Sequence, residues 1–268
     1  MMKTRKSFLK YWNWMFVIGS IGYIFIVVFK INLLKANSID LDYIIIDIFG
    51  NFDMKSKNFL TNYTNYIYNF IVITYICGNY IYKDFNKNYI YIFTRTNKKS
   101  KWINIKIVEL FCIIFIYLTF QFILVIGLAV ICGFRIINLY DFGIVIACVF
   151  LNLVLNLVII NLIANIISFK FKEIVGYTAS IAIFSISILT PCILNLLNIS
   201  ENFYKYTPFV GSITGWYDSF NKIINRDIYY FSFYLNNHSF LVNIIVNFIV
   251  IIILQFIIKK IIENRDII

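Results

Sequence analysis

Residues 83–106, KDFNKNYIYIFTRTNKKSKWINIK, interrupt an apolar chain with its densest positive charge, carried by Lys83, Lys87, Arg95, Lys98, Lys99, Lys101 and Lys106. The side of the membrane on which this stretch sits decides the topology of everything around it. Its surroundings are hydrophobic: 61% of the 268 residues are apolar and 14% are charged, with a mean hydropathy of +0.80. A soluble domain of this length needs far more charged surface, so the composition defines an all-α, polytopic membrane protein. The formal net charge of +11 must then be sorted by side of the membrane before it says anything about a partner.

Working outward, the stretch is flanked by a second span over residues 66–82, rich in Tyr and Asn, and a third over residues 107–131. A first span covers residues 14–29. It is preceded by a leader in which Lys3, Arg5, Lys6 and Lys10 accompany Phe8, Tyr11, Trp12 and Met15 at helical spacing, the pattern of an interfacial amphipathic helix. No A-x-A-like cleavage site follows that span, which is therefore expected to be a retained anchor. Three more spans fall at residues 142–167, 174–197 and 239–258. Each approaches the roughly 20 apolar residues a helix needs to cross hydrocarbon. The connections 30–65 and 198–238 are long. The apolar piece at residues 44–49 is too short to span and is expected to dip into the interface. The whole chain reads as one transmembrane domain of six spans.

Charge orients these spans. Eight basic residues (Lys30, Lys35, Lys55, Lys57, Arg135, Lys205, Lys222 and Arg226) share a face with eight acids (Asp40, Asp42, Asp47, Asp53, Asp141, Glu201, Asp218 and Asp227). The other 16 of the 24 Lys and Arg residues fall on the face of the N-terminus, which holds essentially all the net charge. The positive-inside rule puts both termini and residues 83–106 in the cytoplasm. A basic cytoplasmic face is an orientation signal, so no nucleic-acid partner is implied. The abundance of Ile, Asn, Lys, Tyr and Phe is what the AT-rich genome of a bacterium writes, and the expected location is the cell membrane.

Several chemistries lack parts. No G-x-x-x-x-G-K-[ST] phosphate loop occurs, so ATP is not expected to be hydrolysed by this chain. Cys77, Cys112, Cys132, Cys148 and Cys192 lie in or beside apolar segments without a C-x-x-C pair and read as packing residues. The single histidine, His238, excludes multi-histidine metal sites and is expected at the surface. No catalytic residue, metal site or cofactor site is expected. No Asp, Glu, Lys or Arg lies deep in a span, where ionisable groups are usually functional. Glu109, about one turn into the third span, can reach Lys106 at i−3 or the interface, so a structural or interfacial ion pair is the plainer reading and a substrate or proton site the alternative. Uncharged polar residues are more numerous: Gln121, Asn152, Asn156, Asn243 and Asn247 are the candidates for a translocation path. Interhelical hydrogen bonding is the plainer reading of the same side chains. Asn161 and Asn165 lie about 180° round the fourth span from Asn152 and Asn156, so that helix is expected to be packed on both sides.

Within the opening stretch, Phe85, Tyr89, Ile92 and Phe93 follow i, i+4, i+7, i+8 and form one apolar stripe on a helix. A strongly basic turn, residues 95–101, then leads to Trp102, an interfacial anchor for the third span. Fixing topology needs lysines only, and the aromatic stripe points further, to a docking surface.

The leader, the six spans, and the residues Asp84-Phe85, Thr94-Arg95, Ser100-Lys101-Trp102 and Lys106 between spans two and three resemble ABC-2 type permeases, the membrane subunits of bacteriocin, lantibiotic and drug ABC exporters. In that family the acidic position is more often Glu, and Pro and Arg are more usual where this chain has Thr96, Asn97 and Lys98. The resemblance implies that the leader is a connecting helix on the membrane surface and that residues 83–101 contain a coupling helix. Lys83, Asp84, Phe85, Tyr89, Phe93, Arg95, Lys98 and Lys99 would contact a separate ABC ATP-binding subunit, which would bind ATP and Mg. Thr207-Pro208-Phe209 would belong to the outer helices that close the exit. The implied partners are that ATPase, a second permease copy or paralogue, and membrane lipid. The implied function is export of a peptide or amphipathic substrate, including antimicrobial peptide export or self-immunity, with no enzymatic step in this chain. A stand-alone membrane binding or immunity protein, acting without an ATPase, is the alternative.

Overall fold

Where the second expected span should end, the chain breaks. The computed structural model describes residues 2–34, 40–51, 59–95, 99–207, 209–217 and 235–264. Eight α-helices lie among them: α1 (Met2–Leu34), α2 (Leu41–Phe49), α3 (Phe59–Cys77), α4 (Tyr80–Arg95), α5 (Lys99–Ile131), α6 (Leu139–Lys170), α7 (Glu173–Leu196) and α8 (Phe240–Glu263), with short 3-10 turns at Glu201–Phe203, Val210–Ser212 and Thr214–Trp216. The described residues contain no strand, only an isolated bridge between Tyr217 and Leu235.

Four helices, α5 to α8, are long and apolar enough to cross a membrane. They cover the third to sixth expected spans, because an uninterrupted run of apolar residues can satisfy its backbone in hydrocarbon only as a helix. The chain is therefore a helical membrane protein. The first expected span lies in α1, whose apolar segment, Phe16–Asn32, is shorter. The leader is not set off from it: α1 runs unbroken from Met2 to Leu34, with neither Pro nor Gly ahead of Gly19 to interrupt it. The second expected span, residues 66–82, is corrected to two helices, α3 and α4, separated at Gly78–Asn79.

The chain divides into two compact units. One comprises Met1–Val72, Ile116–Leu151 and Ile213–Asn237, and the other Ile73–Phe115, Asn152–Ser212 and His238–Ile268.

In the first unit, α2 forms the core instead of lying in an interface. Leu41, Ile44, Ile45, Ile46, Ile48 and Phe49 are all buried, and Phe49 stacks 4.0 Å from Phe122 and sits 5.7 Å from Tyr23. The polar ends of so short a helix need partners. Leu41 donates its N–H to the Arg135 carbonyl at 3.2 Å. The Gly50 carbonyl accepts from the Gly215 N–H at 2.9 Å and from the Thr214 hydroxyl at 3.3 Å. Lys30 is buried and donates to the Asp47 carboxylate at 3.1 Å and the Asp47 carbonyl at 2.6 Å, which fastens α2 to the end of α1.

In the second unit α6 is central. Residues 152–162 are buried without exception, as expected for a helix carrying asparagines on opposite faces. By contrast α7 buries one stripe, Gly176, Ser180, Phe184, Ile188 and Pro191, and the buried residues of α8 are Asn243, Asn247, Ile258 and Ile262. The remaining faces of these two helices are apolar and exposed, the distribution of a helix facing lipid.

Candidate functional site

A helix that starts inside a protein has first-turn N–H groups with no partner of their own. At α4 they are satisfied from another helix. Asn165 of α6 places Oδ1 2.9 Å from the Ile81 amide nitrogen and 3.1 Å from that of Tyr82, accepting from both. Its Nδ2 donates to the Cys77 carbonyl at the end of α3 at 3.5 Å and to the Asn161 carbonyl at 2.8 Å. One buried side-chain amide thus caps both helices at the break. Asn79 completes the joint: its Oδ1 accepts from the Ser168 hydroxyl at 2.5 Å, and its Nδ2 donates to the Glu173 carbonyl at the start of α7, 3.2 Å away. Gly78 permits the approach, because a Cβ there would lie 3.1 Å from the Ala164 Cβ. The joint ties α3, α4, α6 and α7 together.

Charged side chains hold α4 beyond the joint. Lys106 of α5 lies 3.0 Å from the Asp84 carboxylate and 2.7 Å from that of Glu109, and Tyr80 donates to Glu109 at 2.5 Å. The expected Lys106–Glu109 pair is present, extended by Asp84 and Tyr80. Lys83 pairs with Glu173 of α7 at 3.1 Å, in a more exposed setting. Phe85 is buried between Phe169, 5.5 Å away edge to face, and Trp102, 6.2 Å away. Lys99 at the start of α5 donates to the Glu263 carbonyl at the end of α8, and Gln255 of α8 donates to Asn104 of α5. The start of α5, the ends of α6 and α8 and the start of α7 therefore gather at one end of the second unit, around α4.

A second polar cluster lies in the same unit. The Gly211 carbonyl accepts from the side-chain amides of Asn152 and Asn243. Asn152 Oδ1 accepts in turn from Asn243 Nδ2 and from Asn156 Nδ2, each at 3.1 Å. Gly211 has to be glycine, since a Cβ would enter the Asn243 amide.

The candidates from the sequence separate as follows. Lys83, Asp84 and Phe85 make intramolecular contacts on α4. The backbones of Tyr89, Phe93 and Arg95 complete that helix, Lys99 opens α5, and Lys98 falls outside the described residues. Asn152, Asn156 and Asn243 come together, with Asn247 one turn along α8. Gln121, in the first unit, is buried and donates to the Tyr117 hydroxyl at 2.5 Å. Thr207 and Phe209 are described and Pro208 is not. His238 is corrected: it is buried, 3% exposed, beside Tyr206. Burial, and secondarily the Lys205 charge, push its imidazole down to about 4. Sequence reasoning missed Asn79 and Ser168, and it placed Asn165 on a packed face of the fourth span without its partners at Ile81, Tyr82 and Cys77. The Gly78-Asn79 pair was the signal for a break, masked by the surrounding apolar and aromatic residues. Among the described residues no three His, Cys, Asp or Glu side chains gather as a metal site.

Fold and site define a helical membrane protein with the helix α4 held at one end of its second unit. No protein-family model, curated protein or solved structure matches the chain.

Proposed function

We propose that this chain is the six-span permease subunit of an ABC-2 type exporter, with both termini and α4 in the cytoplasm. It moves a peptide or amphipathic substrate using ATP hydrolysed by a separate, Mg-dependent subunit, and it works with a second permease chain. One observation carries the reading: α4 is a helix in its own right, divided from α3 at Gly78–Asn79 and clipped to α5, α6 and α7. A piece that must pass a push from a docked motor into the spans needs that construction, free of the span before it and stiffly joined to its neighbours. The gathering of the α6 and α8 ends at the start of α5 supports the alternating course of the spans, with α1 and α3 making six. The positive charge of Lys87, Lys99, Lys101, Lys170, Lys172, Lys259 and Lys260 lies on these elements, as the cytoplasmic assignment requires.

Purification from native membranes tests the reading. An ATP-binding protein co-purifies, and reversing Arg95, Lys98 and Lys99 to Glu removes it and stops transport while insertion is unchanged. Normal transport by that variant, or protection of cells lacking any such ATPase, overturns the reading in favour of a stand-alone binding or immunity protein.

A further inference from the structure

The asparagines of α6 and α8 form the rungs of a ladder. The two helices run in the same direction, because Asn165 near the end of α6 meets the start of α4, Tyr80 there meets Glu109 of α5, and the end of α8 meets the start of α5. The upper rung, Asn152 with Asn243, is closed by direct hydrogen bonding and by the shared Gly211 carbonyl. Asn156 and Asn247 each lie four residues further along, on the same faces and about 6 Å down the axis. Both are buried, at 0% and 3% exposure. Asn156 directs its Nδ2 up to the Asn152 carbonyl and Oδ1, which leaves its own Oδ1 without a hydrogen bond. Asn247 Nδ2 is also without one.

Asn156 and Asn247 therefore offer one buried acceptor and one buried donor, both neutral. A secondary amide presents the complement, an N–H and a C=O on adjacent atoms. An ester lacks the N–H, and a charged group would be buried without a counter-ion. We infer that Asn156 and Asn247 form a binding site for an uncharged peptide backbone, the substrate N–H donating to Asn156 Oδ1 and its carbonyl accepting from Asn247 Nδ2. The upper rung and Gly211 hold the two helices in register for it. This names the substrate class within the proposed transport function and rests on that reading for its biological role, although binding needs neither nucleotide nor ATPase.

The test uses the full chain in phosphatidylcholine nanodiscs without nucleotide, titrated calorimetrically with N-acetyl-leucyl-leucine methylamide and with the analogue whose Leu–Leu amide is an ester. Empty nanodiscs give the partitioning background. The expected result is saturable binding with the amide about tenfold tighter than the ester, the factor for one lost hydrogen bond that leaves a buried acceptor unmet. Asn156→Leu removes the acceptor for the substrate N–H and should bring the two ligands within about twofold, whereas Asn247→Leu removes the donor to the carbonyl that both ligands carry and should weaken both about tenfold while the amide stays tighter. Gly127→Ala, at a position with nothing within 4 Å of the new methyl group, leaves binding as it was. No saturable binding, equal affinities in the unmodified chain, discrimination that persists in Asn156→Leu, or unweakened binding in Asn247→Leu overturns the site. A side-chain 15N resonance of Asn247 that fails to move on adding peptide does the same, since the rung is then closed on itself. ATPase association is measured separately and fails or holds independently of these results.

Discussion

Asn165 Oδ1 accepts the Ile81 N–H at 2.9 Å across the space between α6 and α4. The first turn of α4 is thereby held by a residue 84 positions away in sequence. Replacing Asn165 by Leu removes the cap and leaves buried N–H groups unmet, for an expected loss of about 2–3 kcal/mol. Asn165→Asp keeps the acceptor at a helix N-terminus and should cost less. Hydrogen exchange at Ile81 and Tyr82, with thermal unfolding in detergent, checks both. Equal protection in the Leu variant would show that the cap does not hold α4.

The two ion pairs of α4 differ in exposure and should differ in strength. The side chains of Lys106 and Asp84 are 15% and 21% exposed, against 42% and 43% for Lys83 and Glu173. A double-mutant cycle on Lys106–Asp84 should give a coupling of about 1–2 kcal/mol, and one on Lys83–Glu173 less than about 1 kcal/mol. The opposite order would mean that solvent screening does not govern this girdle.

Gly211→Ala forces a methyl group into the Asn243 amide and opens the upper rung. The expected cost is about 1–3 kcal/mol. Gly127→Ala meets nothing within 4 Å and should be neutral or stabilising by up to about 1 kcal/mol, the helix propensity difference. Thermal unfolding of the two single variants side by side reads the contrast directly.

His238 makes stability depend on pH. Its folded value, about 4, lies below the ordinary 6.5. Between these values the unfolded chain binds a proton that the folded chain refuses, so stability falls as pH drops from about 6.5 to about 4 and then levels off. The full effect is on the order of 3 kcal/mol as an upper bound. Unfolding midpoints at pH 7 and pH 4.5 should converge in His238→Gln relative to the unmodified chain. A Gln variant with the same pH slope would place the dependence on other groups.

The charge reversal at Arg95, Lys98 and Lys99 completes the set, with ATPase co-purification as its measurement. Loss of membrane insertion in that variant would mark these residues as topological signals instead.

Hydropathy by itself determined α5 to α8, because the requirement for some 20 apolar residues is local and survives in any packing. The same holds for Lys106 with Glu109, whose spacing makes them neighbours on any helix. The stripe from Phe85 was visible for the same reason, as a helical period, although its partners Phe169 and Trp102 were not. What only the tertiary structure decided depends on residues distant in sequence. The break at Gly78–Asn79 becomes stable because Asn165 and Ser168 supply partners for the freed backbone and side chains. Position within the spans and helical spacing picked out Asn152, Asn165 and Asn247, but nothing local says which backbone or side-chain groups each of them meets. The segments taken as outer connections carry His238 and the Ile213–Tyr217 turn into the interior, and α2 becomes a core helix once Gly50 and Lys30 find their bonds. Burial of a short polar-flanked segment depends on whether distant groups satisfy its ends, and that information is not contained in its own residues.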